Sequence, residues 1–143
     1  RRLKVDHACN LLWLKMRPDT PQHYEYITMK QVDAVVESFV NINPWTQFYD
    51  LEDRKDIPLS YADHITVEDC RCECREYFNV KPDPTQYQLS DFTFRNLDIR
   101  AKENSFDPTA VNGMVCENCN ITPLDTAPDI NYIPPVPHTI EEA

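Results

Sequence analysis

Glycine is almost missing from this 143-residue chain, which has one glycine against twelve prolines. So few glycines exclude a meander of tight hairpins, whose two-residue turns need positive φ. Strands that meet at wide bends need fewer. Basic residues are also short, with 14 Lys and Arg against 24 Asp and Glu and a net charge of −10. That balance excludes nucleic acid as the expected partner, because phosphate binding needs a basic footprint. No apolar run reaches the roughly 18 residues that a spanning helix requires, so no membrane partner is expected. A signal-like apolar segment and an initiating methionine are both lacking. The chain is therefore expected to be a processed or truncated piece.

What the chain has is a repeat. Ile27-Thr28-Met29-Lys30-Gln31-Val32-Asp33-Ala34 lies over Ile65-Thr66-Val67-Glu68-Asp69-Cys70-Arg71-Cys72 at an offset of 38 residues. In the same register Phe39-Val40-Asn41-Ile42-Asn43-Pro44 lies over Tyr77-Phe78-Asn79-Val80-Lys81-Pro82. The first half recurs at Phe92–Ile99 and at Met114–Ile121, so successive intervals are 38, 27 and 22 residues. Apolar residues alternate at period two and Thr, Val, Ile and Phe are enriched, which reads as strand. Lys30 and Gln31 interrupt the alternation and predict a bend between two short strands. Repeats of this length predict an all-β solenoid. Its coils are expected over residues 1–124, with a long loop at about 45–63, and a Pro-rich extended tail or cap over 125–143. Leu3-Lys4-Val5-Asp6 already stands in mid-pattern. The first coil is therefore expected to be uncapped, meeting an upstream segment or another copy through its open strand edge.

Cys70, Cys72, Cys74, Cys116 and Cys119 resemble a metal ligand set by spacing. The repeat register argues otherwise. Cys70, Cys72 and Cys74 fall on Val32, Ala34 and Val36, while Cys116 matches Phe94 and Cys119 matches Leu97. Reduced cysteine behaves as a small apolar side chain, so these positions are expected to be core columns; Cys9 has no counterpart. The histidines His7, His23, His64 and His138 show no ligand-like spacing with the cysteines. No metal and no cofactor are expected.

Three segments carry a resemblance: Asn10–Arg17, Ala62–Cys70 and Ser90–Leu97. Across roughly residues 3–122 their order and spacing resemble the last turns of family 28 glycoside hydrolases, the polygalacturonase and rhamnogalacturonase group, especially those of gut bacteria. The resemblance implies the last few coils of a right-handed parallel β-helix of the pectin-lyase type. It also implies action on α-linked galacturonan or rhamnogalacturonan, generally with inversion, and a secreted or periplasmic location. Inverting hydrolysis uses two carboxyl groups, and the family's Asn-Thr-Asp, Asp-Asp and Gly-His-Gly motifs do not occur here. No residue of this chain is assigned a catalytic role, including the acidic pairs Glu52-Asp53 and Glu141-Glu142.

Where the family carries an Arg-Ile-Lys strand that grips a substrate carboxylate, this chain has Trp13-Leu14-Lys15. Trp13 and Lys15 project on one face, since alternate residues of a strand share a side. An indole beside an ammonium suits a sugar ring; a tryptophan covering the coil beside a snorkelling lysine accounts for the pair equally. The missing arginine removes the bidentate fork for a uronate, and Arg17 is a further candidate. Trp45 and Tyr49, in the long loop, are candidate cleft aromatics, since the resemblance implies a cleft tyrosine in this neighbourhood; stapling of the loop to the scaffold accounts for them equally. Two functions follow. One is the cleft wall of a pectin-directed glycosidase, inert without catalytic aspartates. The other is a noncatalytic carbohydrate-binding or structural β-helix fragment. The expected partner in either case is a poly- or oligosaccharide.

Overall fold

The structure, a computed structural model, describes residues 2–18, 21–44, 51–53 and 55–130. Trp45, Tyr49, Glu141-Glu142 and most of the Pro-rich tail lie outside the described residues. Among the described residues, all regular structure except a 3₁₀ turn at Pro108–Ala110 is strand. The strands are β1 (Leu3–Met16), β2 (His23–Lys30), β3 (Val32–Pro44), β4 (Ser60–Val80), β5 (Tyr87–Glu103) and β6 (Asn112–Pro123). They form one sheet in the order β1-β3-β4-β5-β6, with β2 also paired to β4, and every pairing is parallel. β4 begins at Ser60, inside the segment expected to be loop.

The register reproduces the sequence repeat. Ile27 pairs with Ile65, Ile65 with Phe92, and Phe92 with Met114. Ala34 pairs with Cys72, Cys72 with Ile99, and Ile99 with Ile121. Like residues stack in columns because an apolar side chain in one strand needs an apolar neighbour in the next. Slipping a pairing by one residue would turn every such column to solvent.

Strands of 21 and 17 residues exceed the usual length. They continue because each is bent. Tyr26, His64, Asp91 and Gly113 take φ of 55°, 54°, 56° and 80° at equivalent places between registered pairs. A second set, Gln31, Asp69, Asn96 and Asn118, takes 58°, 56°, 55° and 53°. The bend expected beside Lys30 and Gln31 is therefore present. The scarcity of glycine has a different cause from the one expected. The bends do need the left-handed region, but non-glycine residues occupy it. Asn and Asp tolerate that region better than most, and in the second set their side chains bond along the ladder. Asn96 Nδ2 donates to Asp69 Oδ1 at 3.0 Å and Asn118 Nδ2 to Asn96 Oδ1 at 2.9 Å.

One apolar core runs through the stack. Part of it is aromatic: Phe39, Tyr77, Phe78, Phe94 and Phe106 meet with ring centroids 4.9–6.5 Å apart. Cys70, Cys72 and Cys74 are buried, as their columns require. Cys116 is exposed and Cys119 only half-buried, which corrects the expectation for that pair. Both lie on β6, the last strand of the sheet order, where no further strand among the described residues covers the column.

Candidate functional site

The end of β1 alternates cleanly. Leu12, Leu14 and Met16 are buried, while Trp13 and Lys15 face outward. Lys15 Nζ sits 4.5 Å from the centroid of the Trp13 ring, a cation–π contact. Trp13 as a whole is 45% exposed, so part of its surface is accessible to a ligand. Register sets Asn41 beside Trp13 and Asn43 beside Lys15 on β3, and Asn79 beside Asn41 on β4. These amides form a network. Asn41 Oδ1 accepts from Asn79 Nδ2 at 3.3 Å and from Asn43 Nδ2, and Asn41 Nδ2 donates to Asn10 Oδ1 at 2.9 Å. An aromatic platform, an ammonium and fixed amides thus share one outward strip. Tyr24 OH donates to the Lys15 carbonyl at 3.1 Å, holding the end of β1 in place. Arg17 lies just beyond β1 and is half-buried.

A second outward region is a groove of about 480 Å³ lined by Lys4, Asp33, Arg71, Glu73 and Arg100 among others. Its two arginines are engaged by carboxylates of the same sheet. Arg71 Nε and Nη2 donate to the two oxygens of Asp33 at 3.0 and 2.9 Å, and Arg2 Nε to Asp33 Oδ1 at 2.8 Å. Those hydrogen bonds, with Arg2 the stronger influence, lower the Asp33 carboxyl to about 2. Arg100 pairs with Glu73 at 3.0 Å. The arginines of the groove thus belong to an interstrand ion-pair lattice, and its lining carries more carboxylates (Asp6, Asp33, Glu73 and Asp98) than cations (Lys4, Arg71 and Arg100).

The third region has no counterpart among the expected site residues. Glu25 and Asp63 are register partners on β2 and β4, and His23 stands two residues before Glu25 on the same face. His23 Nε2 lies 2.5 Å from Asp63 Oδ2 and 3.5 Å from Glu25 Oε2, and His64 Nδ1 lies 2.5 Å from Asp63 Oδ1. Tyr26 stacks on His64 at 4.5 Å, and Tyr61 meets His23 edge-on at 5.7 Å. The hydrogen bond to Asp63 raises the pKa of each imidazole. In return His64, then His23, lower that of Asp63. An ionised Asp63 suits a ligand or an acceptor, not a general acid. Among the described residues, this is the group of His, Cys, Asp and Glu side chains whose ligand atoms converge.

Protein-family models, curated proteins and solved structures were each compared with the chain, and none matches it. Among the described residues no helix is long and apolar enough to cross a membrane.

Proposed function

We propose that this chain forms turns of a right-handed parallel β-helix and binds an oligosaccharide on the outward strip of Trp13, Lys15, Asn41 and Asn43. All-parallel pairing at intervals of 38, 27 and 22 residues supports the β-helix. Right-handedness is the near-universal sense of parallel crossover connections. The saccharide rests on one observation above the others: the Lys15 ammonium lies over the Trp13 ring while Trp13 stays partly exposed. A sugar has the matching chemistry, an apolar C–H face for the indole and hydroxyls for ammonium and amide.

The sugar class follows from the family resemblance: a pectic chain, galacturonan or rhamnogalacturonan, with this chain as cleft wall of a glycosidase. A single ammonium attracts a uronate without orienting it, because only the guanidinium provides a two-pronged match. The chain contributes binding and no hydrolysis. The noncatalytic alternative, a carbohydrate-binding β-helix piece, uses the same strip.

Calorimetric titration with galacturonan and rhamnogalacturonan oligosaccharides tests the strip. Trp13→Ala and Lys15→Ala are each expected to weaken binding at least tenfold, or about 1.4 kcal/mol. Unchanged affinity in both variants would remove the strip from consideration. New reducing ends released by the chain, above a boiled control, would overturn the claim that it does not hydrolyse.

A further inference from the structure

We propose that His23, Glu25 and Asp63 bind one divalent transition-metal ion, with zinc as the test case. Glu25 and Asp63 oppose each other in the parallel β2–β4 ladder. Like charges directly opposite destabilise a sheet, and a divalent ion bound by both carboxylates would relieve that repulsion. The neighbour on the same face is His23, itself a ligand for such ions. One ligand atom from each of the three side chains lies within 4.8 Å of the others.

The separations suit zinc after a small adjustment. Tetrahedral zinc bonds of about 2.0–2.1 Å to nitrogen and oxygen set ligand atoms about 3.4 Å apart. His23 Nε2 and Glu25 Oε2 already stand at 3.5 Å. His23 Nε2 and Asp63 Oδ2, at 2.5 Å, open by roughly 1 Å when the ion enters between them. His23 has nearly half its side-chain surface exposed, and its imidazole makes that movement while Asp63, the more buried partner, stays in place. A neutral imidazole and two carboxylates balance the charge of a divalent ion, and that donor set accommodates zinc.

The surroundings resemble the outer support of a metal site. His64 Nδ1 engages Asp63 Oδ1, leaving Oδ2 turned toward His23, and Tyr26 stacks on the His64 ring. Hydrogen-bonded partners of this kind orient ligating carboxylates, and their loss typically weakens metal affinity about 10–100-fold. Three protein ligands on an open face leave the fourth position to water or to an incoming ligand.

The experiment is calorimetric titration of the reduced full chain with Zn²⁺. Four variants run beside it: His23→Gln, Asp63→Asn, His64→Ala, and a triple Cys9→Ser, Cys116→Ser, Cys119→Ser chain that removes the accessible thiols. The proposal expects one ion per chain, at least tenfold weaker binding in His23→Gln and Asp63→Asn, and about tenfold weaker binding in His64→Ala. It expects no change in the triple variant. Circular dichroism confirms that each variant keeps the wild-type strand signal. With Co²⁺ in place of zinc, d–d bands without a thiolate charge-transfer band are expected. No uptake by the wild-type chain, wild-type affinity in His23→Gln, or loss of binding in the triple cysteine variant would each overturn the assignment.

Discussion

The bends can be tested at Asn96, which holds φ of 55° in the middle of β5. Ordinarily glycine in a strand is worse than alanine by about 0.5–1 kcal/mol, because the unfolded chain gains freedom. At Asn96 the order should invert. Alanine at this φ brings its Cβ against the following carbonyl, at about 1–2 kcal/mol; glycine has no such contact. Both substitutions also remove the bonds to Asp69 and from Asn118. Those bonds are solvent-exposed, so each contributes at the low end of the usual range, about 0.5 kcal/mol. Asn96→Ala therefore sums to about 2–3 kcal/mol of destabilisation and Asn96→Gly to about 1.5–2. Urea unfolding monitored by circular dichroism reads this as two midpoints at a common slope. The sign is the decisive result. If Asn96→Ala equals or exceeds Asn96→Gly in stability, the left-handed bend is not a constraint on this position, and the account of the scarce glycine fails.

Two further outcomes follow from named contacts. Asp33 titrates at about 2 in the folded chain, below its ordinary 3.8, so its contribution to stability is present above pH 4 and is lost as pH falls through 2. The stability difference between wild type and Asp33→Asn should therefore shrink across that window in acid unfolding, and a difference independent of pH would refute the pairing with Arg2 and Arg71. In thiol titration with a disulfide reagent, exposed Cys9 and Cys116 should react first. Cys70, Cys72 and Cys74 are buried. Burial raises the Cys70 thiol pKa; at Cys72 the hydrogen bond with Cys74, then burial, does the same. These three should react only with denaturant, and their rapid reaction in the native chain would contradict the core columns.

The parallel register could be read from sequence because a parallel ladder stacks like on like. Ile27, Ile65, Phe92 and Met114 are all apolar, and so are Ala34, Cys72, Ile99 and Ile121. Two features of the same columns could not be read that way. Column membership gives the side on which Cys116 projects but not whether a further strand covers it, and β6 is the last in the order. The left-handed bends are also partly hidden. Asp69, Asn96, Asn118 and His64 are residue types that suit positive φ, but Tyr26 and Gln31 are not. Their conformation is imposed by the registered strands on either side of each bend.

The candidate sites differ in legibility for a geometric reason. Trp13 and Lys15 lie on one strand, so period-two alternation alone puts them on one face; that the ammonium sits over the ring depends on rotamers that no pattern encodes. His23, Glu25 and Asp63 lie on two strands, and linear spacing cannot bring 23 and 25 to 63. The offset of 38 can: it carries Glu25 onto Asp63 as surely as it carries Ile27 onto Ile65. Comparing the histidines with the cysteines along the chain conceals the group, because ligands in a parallel sheet converge across strands. Polar residues therefore need the same columnar test as apolar ones. Where an acid falls on an acid in register, as Glu25 does on Asp63, a nearby cation relieves the repulsion, and here His23 and His64 both reach the Asp63 carboxylate.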